Sequence, residues 1–133
     1  MHKAIVPMAA ITIIVASSVV SAGPAQDSIL KHFQQQAGTP FSAERGKALF
    51  ITRHGSGKPE TPSCTTCHGN SPLKTGSTRA GKEIAPMALS RTPDRYSALK
   101  KVEKWFRRNC RSVLGRECTL QEKGDFLTFM INQ

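Results

Sequence analysis

Residues 64–68 read Cys-Thr-Thr-Cys-His, and they lie inside a long stretch, residues 54–93, that is rich in Gly, Pro, Ser and Thr. Such a composition predicts loop rather than helix or strand. A small domain rarely contains so long a loop unless a bound group organises it. Because the C-x-x-C-H sequence offers two thiols and an imidazole to such a group, it constrains the fold more than any other feature of the chain.

The N-terminal segment bears on the compartment in which these cysteines work. Residues 1–22 have Lys3 in a short polar start, an apolar run to about Val20, and the small residues "VSA" at the end. This pattern predicts an export signal that is cleaved after Ala22, although a retained membrane anchor stays open as an alternative. We therefore expect residues 23–133 to work in the periplasm, where disulfides persist.

The mature chain has the length of one domain and a basic composition. Without Lys3 it carries 18 Lys and Arg against 9 Asp and Glu, which is a net charge of +9 with His neutral. Export argues against nucleic acid as a partner. The positive charge fits docking to an acidic partner or an anionic surface, and it fits equally a basic surface that only keeps the protein soluble.

Apolar periodicity outside the central loop predicts four helices, and no strand pair is convincing. The predicted helices are residues 26–38, a segment with Ser42 as N-cap, a segment that starts near Thr92 or Asp94, and a segment that starts at a candidate capping box of Thr119 and Glu122. We therefore expect an all-α domain.

The third predicted helix includes an asparagine in its apolar pattern. Asn109 follows Val102, Trp105 and Phe106 by seven, four and three residues, so all four are expected on one inward face. A buried amide needs a partner. From the residues alone, Asn109 fits either a hydrogen bond to backbone near the helix end or the binding of another group.

Covalent haem is the bound group that best fits the C-x-x-C-H spacing in an exported protein. The thiols of Cys64 and Cys67 can add across the two vinyl groups of a haem, while the imidazole of His68 turns onto the iron. Three alternatives compete. A structural zinc site requires four ligands, a redox dithiol normally follows a strand, and the two cysteines could form a plain disulfide.

Further motifs resemble a known family. The segments "SAERGKALF", "CTTCHG" and "DFLTFM" are similar to those of class I c-type cytochromes, and "GKEIAP", "TPDRY", "VEKW", "RNC" and "GREC" resemble the sphaeroides haem protein family of oxygen-binding cytochromes c. The resemblance spans about residues 40–133, which we expect to be a cytochrome c domain preceded by an N-terminal helical extension, residues 23–39. It implies an all-α, class I cytochrome c-like fold with about four helices around one covalently attached haem.

The resemblance also implies roles for individual residues. They are Cys64 and Cys67 as attachments of haem c, His68 as the proximal iron ligand, Asn109 as the distal ligand of the oxidised iron, and Cys110 and Cys118 as a disulfide. In two places the chain departs from the family, with a methionine at position 87 instead of a leucine and a tyrosine at position 96. Met87 stays open as a sixth ligand, and Lys82 is a candidate partner of a haem propionate unless it belongs to a solvated basic loop.

Two classes of function follow. The protein is either a conventional electron carrier with Met87 on the iron, or a cytochrome whose distal site binds O2, NO or CO after reduction, because an amide oxygen suits ferric better than ferrous iron. The family implies other c-type cytochromes or a membrane cytochrome b as electron donors. No nucleophile with a base, paired carboxylates or phosphate loop supports hydrolytic or transfer catalysis, while weak oxygenase or peroxidase activity stays open.

Overall fold

The structure is a computed structural model that describes residues 21–133; residues 1–20, and with them most of the predicted export signal, lie outside the described part. The elements are α1 (Pro24–Gln34), α2 (Ala43–Ile51), α3 (Thr65–His68), β1 (Gly76–Ser77), β2 (Glu83–Ile84), α4 (Leu99–Leu114) and α5 (Leu120–Ile131). Between residues 21 and 133 no helix is long and apolar enough to cross a membrane. The chain is therefore mostly helical, as predicted.

The crossing of α2 and α5 brings two backbones into close contact. A Cβ on Gly46 would collide with the carbonyl group of Asp125, so glycine is needed at this point of α2. The Asp125 carboxylate is only 5% exposed, and it accepts hydrogen bonds from the guanidinium of Arg45 and the backbone N–H of Ser42, both at 2.7 Å. Close backbone approach and a partly buried ion pair thus fix how α2 lies on α5.

Helix α1 shares a hydrophobic core with the later helices. Ile29 and Phe33 of α1 pack in one cluster with Leu127 and Ile131 of α5. The side-chain amide of Gln26 also donates to two backbone carbonyls of the segment before α4, at 3.2 and 2.9 Å. Residues 23–39, which the sequence predicts as an extension, therefore contribute to the same core as residues 40–133.

The predicted helix caps at Ser42 and Thr119 are confirmed. The Ser42 hydroxyl accepts from the backbone N–H of Arg45 at 3.2 Å. The Thr119 hydroxyl accepts from the backbone N–H of Glu122 at 3.1 Å, and the Glu122 carboxylate accepts from the Thr119 backbone at 2.8 Å. These local bonds satisfy backbone donors that no helical partner reaches, which is why the sequence alone located both starts.

The predicted start of α4 near Thr92 or Asp94 is wrong, because α4 begins at Leu99. Tyr96 has a φ of 59°, in the left-handed region, so a right-handed helix cannot pass through it. The Tyr96 hydroxyl donates to the backbone carbonyl of Met87 at 2.7 Å. This contact with the central loop holds the segment before α4 out of the helix.

A small hairpin in the central loop was not predicted. Strands β1 and β2 are antiparallel and two residues long, with Gly76 opposite Ile84. The turn between them is closed locally, since the backbone N–H of Thr78 donates to the Lys82 carbonyl at 2.8 Å. Gly81 takes a φ of 79° in this turn. Pairs this short give no alternating apolar pattern for a sequence analysis to detect.

Candidate functional site

The C-x-x-C-H motif forms a single helical turn, α3. The backbone N–H of His68 donates to the carbonyl of Cys64 at 3.1 Å, which closes the turn. The buried hydroxyl of Ser63 is hydrogen-bonded to the Thr65 hydroxyl at 2.6 Å and supports its start. Cys64 and Cys67 lie in this turn as free thiols rather than as the disulfide alternative. The turn thus brings two thiols and one imidazole together.

The environment of His68 favours a neutral imidazole. Burial, with a smaller contribution from the charge of Arg95, lowers the pKa of His68 to about 4. Its Nδ1 is buried and has no hydrogen-bond partner among the residues that the structure describes. The neutral ring is the form that binds a metal. Burial likewise raises the pKa of the Cys64 thiol to about 11, so that thiol is uncharged as well.

The hairpin packs directly against this motif. A Cβ on Gly76 of β1 would collide with the backbone carbonyl of Cys67, so the strand approaches the turn as closely as a glycine allows. Arg79 in the hairpin turn pairs with Glu60 of the preceding loop at 3.3 Å. Lys82 is exposed in the same turn, and its ammonium group has no ion-pair partner within residues 21–133. Its role toward a propionate stays a prediction.

The predicted disulfide between Cys110 and Cys118 is confirmed, with a Cα–Cα distance of 5.6 Å. It packs in a cluster with Val113 and Leu114, and the partly buried Cys64 lies against this cluster. The structure therefore brings the C-x-x-C-H motif and the end of α4 together.

Hydrogen bonds attach the loop before the motif to the same end of α4. The backbone N–H of Lys58 donates to the Ser112 carbonyl at 2.7 Å, and the Thr61 hydroxyl is 3.1 Å from that carbonyl. The Ser56 hydroxyl donates to the Leu114 carbonyl at 2.7 Å. The last carbonyls of a helix have no hydrogen-bond partner within the helix and therefore accept bonds from other groups. The loop donates these bonds, and they fix its position against α4.

The side chains of the predicted inward face of α4 differ in exposure. Val102 is buried and Phe106 is partly buried, but Trp105 is 45% exposed and Asn109 is exposed. Asn109 follows Trp105 by one turn and the buried Val102 by two turns, so it lies on the same side of α4 as both. The Asn109 amide makes no hydrogen bond with any other residue in the described part of the chain.

Met87 lies in the core instead. It is 8% exposed and packs in a cluster with Phe126, Phe129 and Met130. This cluster also contacts the partly buried Cys64. Met87 is therefore near the motif but surrounded by apolar side chains.

Arg95 is a residue of this region to which the sequence analysis gave no role. Its guanidinium donates to the backbone carbonyls of Ala85 and Pro86, both at 2.6 Å, and its charge acts on His68. The only signal available was the segment "TPDRY", which the family resemblance included without a function for the arginine. Arg95 is therefore a positive charge in a fixed position near His68, and it helps to keep the imidazole neutral.

The donor set fits a covalently attached haem. It consists of two free thiols and a neutral imidazole with an unpartnered buried nitrogen, all within one helical turn. In the part of the chain that the structure describes, no three His, Cys, Asp or Glu side chains are grouped to hold a metal ion directly, as the zinc alternative would require.

Comparison with known proteins agrees with this fit. A family model described as a domain of unknown function, DUF1924, matches residues 36–130. The cytochrome c-type protein SHP of Cereibacter sphaeroides is 50% identical over 122 residues, covering 87% of this chain and 95% of that protein. Cytochrome c'' of Methylophilus methylotrophus is 30% identical over 89 residues, covering 66% of this chain and 62% of that protein.

Solved structures show the same relationship. A structure described as oxidized SHP, an oxygen binding cytochrome c, superposes with a TM-score of 0.79 at 51% identity, covering 81% of this chain and 96% of that one. The crystal structure of oxidized cytochrome c'' from Methylophilus methylotrophus has a TM-score of 0.68 at 25% identity, covering 82% and 94%. The predicted all-α cytochrome c-like fold is confirmed. With half of its residues identical to SHP over most of its length, the chain belongs to the SHP, or sphaeroides haem protein, family of oxygen-binding c-type cytochromes.

Proposed function

We propose that the chain is an exported, periplasmic monohaem cytochrome that transfers electrons and whose distal site binds O2, NO or CO when reduced. Its relative is described as an oxygen-binding cytochrome c, and the C-x-x-C-H motif is folded with free thiols. Another c-type cytochrome or a membrane cytochrome b is the proposed electron donor.

The chain's own residues would hold the haem from two sides. A bound haem supplies a redox-active iron with one exchangeable coordination position. Cys64 and Cys67 would fix the group to α3, and His68, kept neutral by burial, would be the proximal ligand. Lys82, exposed in the hairpin turn, is the proposed partner of a propionate.

The contrast between Asn109 and Met87 is the observation that carries the distal assignment. The Asn109 side chain has no hydrogen bond within the described residues, so its amide oxygen is available to another group. Met87 is 8% exposed in an aromatic cluster, and its backbone carbonyl is held by Tyr96. Presenting Met87 as a ligand would require withdrawing it from the core, which costs about 1.5–3 kcal/mol of apolar burial.

The chemistry of the amide would make the proposed distal site sensitive to the oxidation state of a bound haem. The side-chain oxygen of Asn109 is a hard donor, suited to ferric iron and poorly matched to ferrous iron. The same side chain also has an NH2 group, which would donate a hydrogen bond to a diatomic ligand bound there. Asn109 would therefore act as a ligand in one oxidation state and as a hydrogen-bond donor in the other.

Absorption spectra of the purified holoprotein test this proposal. Asn109→Val should convert the oxidised spectrum to that of five-coordinate or water-ligated iron. It should also speed O2 loss from the reduced protein about tenfold, as removal of one hydrogen bond of about 1.4 kcal/mol implies.

Met87→Leu is the matched control and should leave both spectra unchanged, since the variant keeps the size and apolarity of a core side chain. If Met87→Leu abolishes a low-spin sixth ligand while Asn109→Val has no effect, the protein is a conventional electron carrier and the distal-site proposal is wrong.

A further inference from the structure

The outward face of α4 carries a dense row of positive charge. Its cations are Lys100, Lys101, Lys104, Arg107, Arg108 and Arg111, and its single acid is Glu103. Glu103 pairs with Lys123 of α5 at 2.6 Å, and Arg111 pairs with Glu117 at 2.7 Å. The other five cations are exposed and have no ion-pair partner among residues 21–133. We call these five residues the basic face.

The charges of the basic face destabilise helix α4. Lys100 lies four residues before Lys104, and Lys104 lies four residues before Arg108, so like charges are neighbours along α4. Lys100 and Lys101 also lie in the first turn, which contains no acidic residue, where positive charge opposes the helix dipole. Folding alone does not favour this arrangement, which suggests that the charges serve contact with another molecule.

A large apolar side chain borders the basic face. Trp105, the only tryptophan of the chain, is 45% exposed, and the guanidinium carbon of Arg108 lies 5.5 Å from its ring centroid. Trp105 is followed one turn later by the exposed Asn109. Tryptophan and arginine are the residue types that most often dominate binding energy in protein interfaces.

The apolar side of α4 is not available to a membrane. Val102, Cys110, Val113 and Leu114 are buried in the core of the domain. A helix that lies in a bilayer surface needs a broad exposed apolar face. The only large apolar side chain that α4 exposes is Trp105. An acidic protein surface therefore fits α4 better than lipid does.

We propose that the basic face and Trp105 form the docking surface for an acidic electron-donor protein. The electrostatic field of five unpaired cations would steer the donor to α4, and Trp105 would supply the desolvated contact. The docked donor would then lie beside Asn109. Only the identity of the partner as an electron donor depends on the function proposed above, since binding itself does not require redox chemistry.

The rate of reduction by an acidic protein tests the surface. The probe is a plant-type ferredoxin, reduced beforehand and mixed with the oxidised holoprotein in a stopped-flow instrument. The triple variant Lys101→Gln, Lys104→Gln, Arg108→Gln should be reduced about tenfold more slowly at low ionic strength, and the difference should shrink to about twofold near 0.5 M salt. Reduction by a small neutral flavin should not change.

A matched variant controls for net charge. Lys31→Gln, Lys47→Gln, Lys74→Gln removes three exposed cations outside α4 and should lower the rate by no more than about twofold. Equal slowing by both triple variants would show that only net charge matters and would overturn the proposal. The α4 variant should unfold at the same or a higher temperature than the wild type, because it removes like-charge pairs and glutamine is a good helix former.

The indole N–H of Trp105 provides a readout that needs no electron transfer. Its single NMR resonance should shift when oxidised ferredoxin is added at low salt, and the shift should disappear in the α4 variant. Vesicles containing about one third phosphatidylglycerol are the competing probe. A larger shift with vesicles than with ferredoxin, or no shift with ferredoxin, would overturn the docking proposal whether or not the distal-site proposal holds.

Discussion

At the scale of single residues, the four cysteines of residues 21–133 fall into two pairs with different bonding. Cys110 and Cys118 are joined, whereas Cys64 and Cys67 are free although they are only three residues apart. A thiol must be free of other bonds before it can add to a vinyl group. The structure thus leaves the C-x-x-C-H thiols available for haem attachment.

We predict two thioether bonds in the mature protein. The single variants Cys64→Ala and Cys67→Ala should each keep their haem in acidified organic solvent, because one thioether bond remains. The double variant Cys64→Ala, Cys67→Ala should lose its haem to the same solvent. The check is the mass of the denatured polypeptide. The double variant Cys110→Ala, Cys118→Ala is the control and should keep its haem. Two alkylatable thiols in denatured wild-type holoprotein would contradict the prediction.

Residue roles were predicted from the sequence only where a motif fixed them. Cys64, Cys67 and His68 are recognised from their spacing, which one helical turn imposes. Asn109 was assigned its role by the resemblance to the family, because the spacing that places it in line with Val102 does not say which group its amide binds.

At the scale of elements, the ion pair between α2 and α5 predicts how acid affects the fold. Burial by itself raises the pKa of Asp125, but the hydrogen bonds from Arg45, the Ser42 backbone and Gln121 outweigh it, so the pKa lies below the usual 3.8. The folded state therefore binds this proton less tightly than the unfolded state. The stabilisation is complete above about pH 4 and is lost as pH falls through the folded value.

Asp125→Asn should lower the free energy of unfolding by about 2 kcal/mol at neutral pH, less than for a fully buried pair because Arg45 is 52% exposed. The difference from wild type should shrink below about pH 4. Urea unfolding at several pH values measures both. Glu117→Gln, which breaks the exposed pair with Arg111, should cost at most about 0.5 kcal/mol. A difference that grows in acid would contradict the assignment.

Elements were predictable from sequence where local bonds define them. The caps at Ser42 and Thr119 involve residues three positions away, so the sequence contains all the information. The start of α4 depends on Tyr96, whose left-handed backbone is held by a hydrogen bond to Met87, nine residues earlier. No local pattern reports that contact, and the helix was therefore predicted to start too early.

At the scale of the whole molecule, the Cys110–Cys118 disulfide connects the two helices that matter most to the proposed site. It joins the last turns of α4, which carries Asn109, to the segment that begins α5, and the C-x-x-C-H motif packs against it through Cys64. The loop before the motif is hydrogen-bonded to the same end of α4. The same end of α4 therefore positions both the C-x-x-C-H motif and Asn109, the proposed distal ligand.

Removing the disulfide should destabilise the domain and loosen Asn109 first. The bond closes a nine-residue segment from 110 to 118, which the chain-entropy model values at about 2.6 kcal/mol, and the buried sulfurs add to this in Cys110→Ala, Cys118→Ala. The melting temperature should fall by about 10 °C or more. Because the freed end of α4 can open locally, the oxidised spectrum should change at lower urea than the far-ultraviolet circular dichroism does.

Val113→Ala is the control for this experiment. It removes apolar volume from the same cluster but leaves the covalent link intact, so it should lower global stability while the two transitions stay coincident. If the spectral and circular dichroism transitions also coincide in the variant without the disulfide, the bond stabilises the domain only as a whole. The end of α4 would then be held in place by packing and by its hydrogen bonds to Lys58 and Thr61 instead.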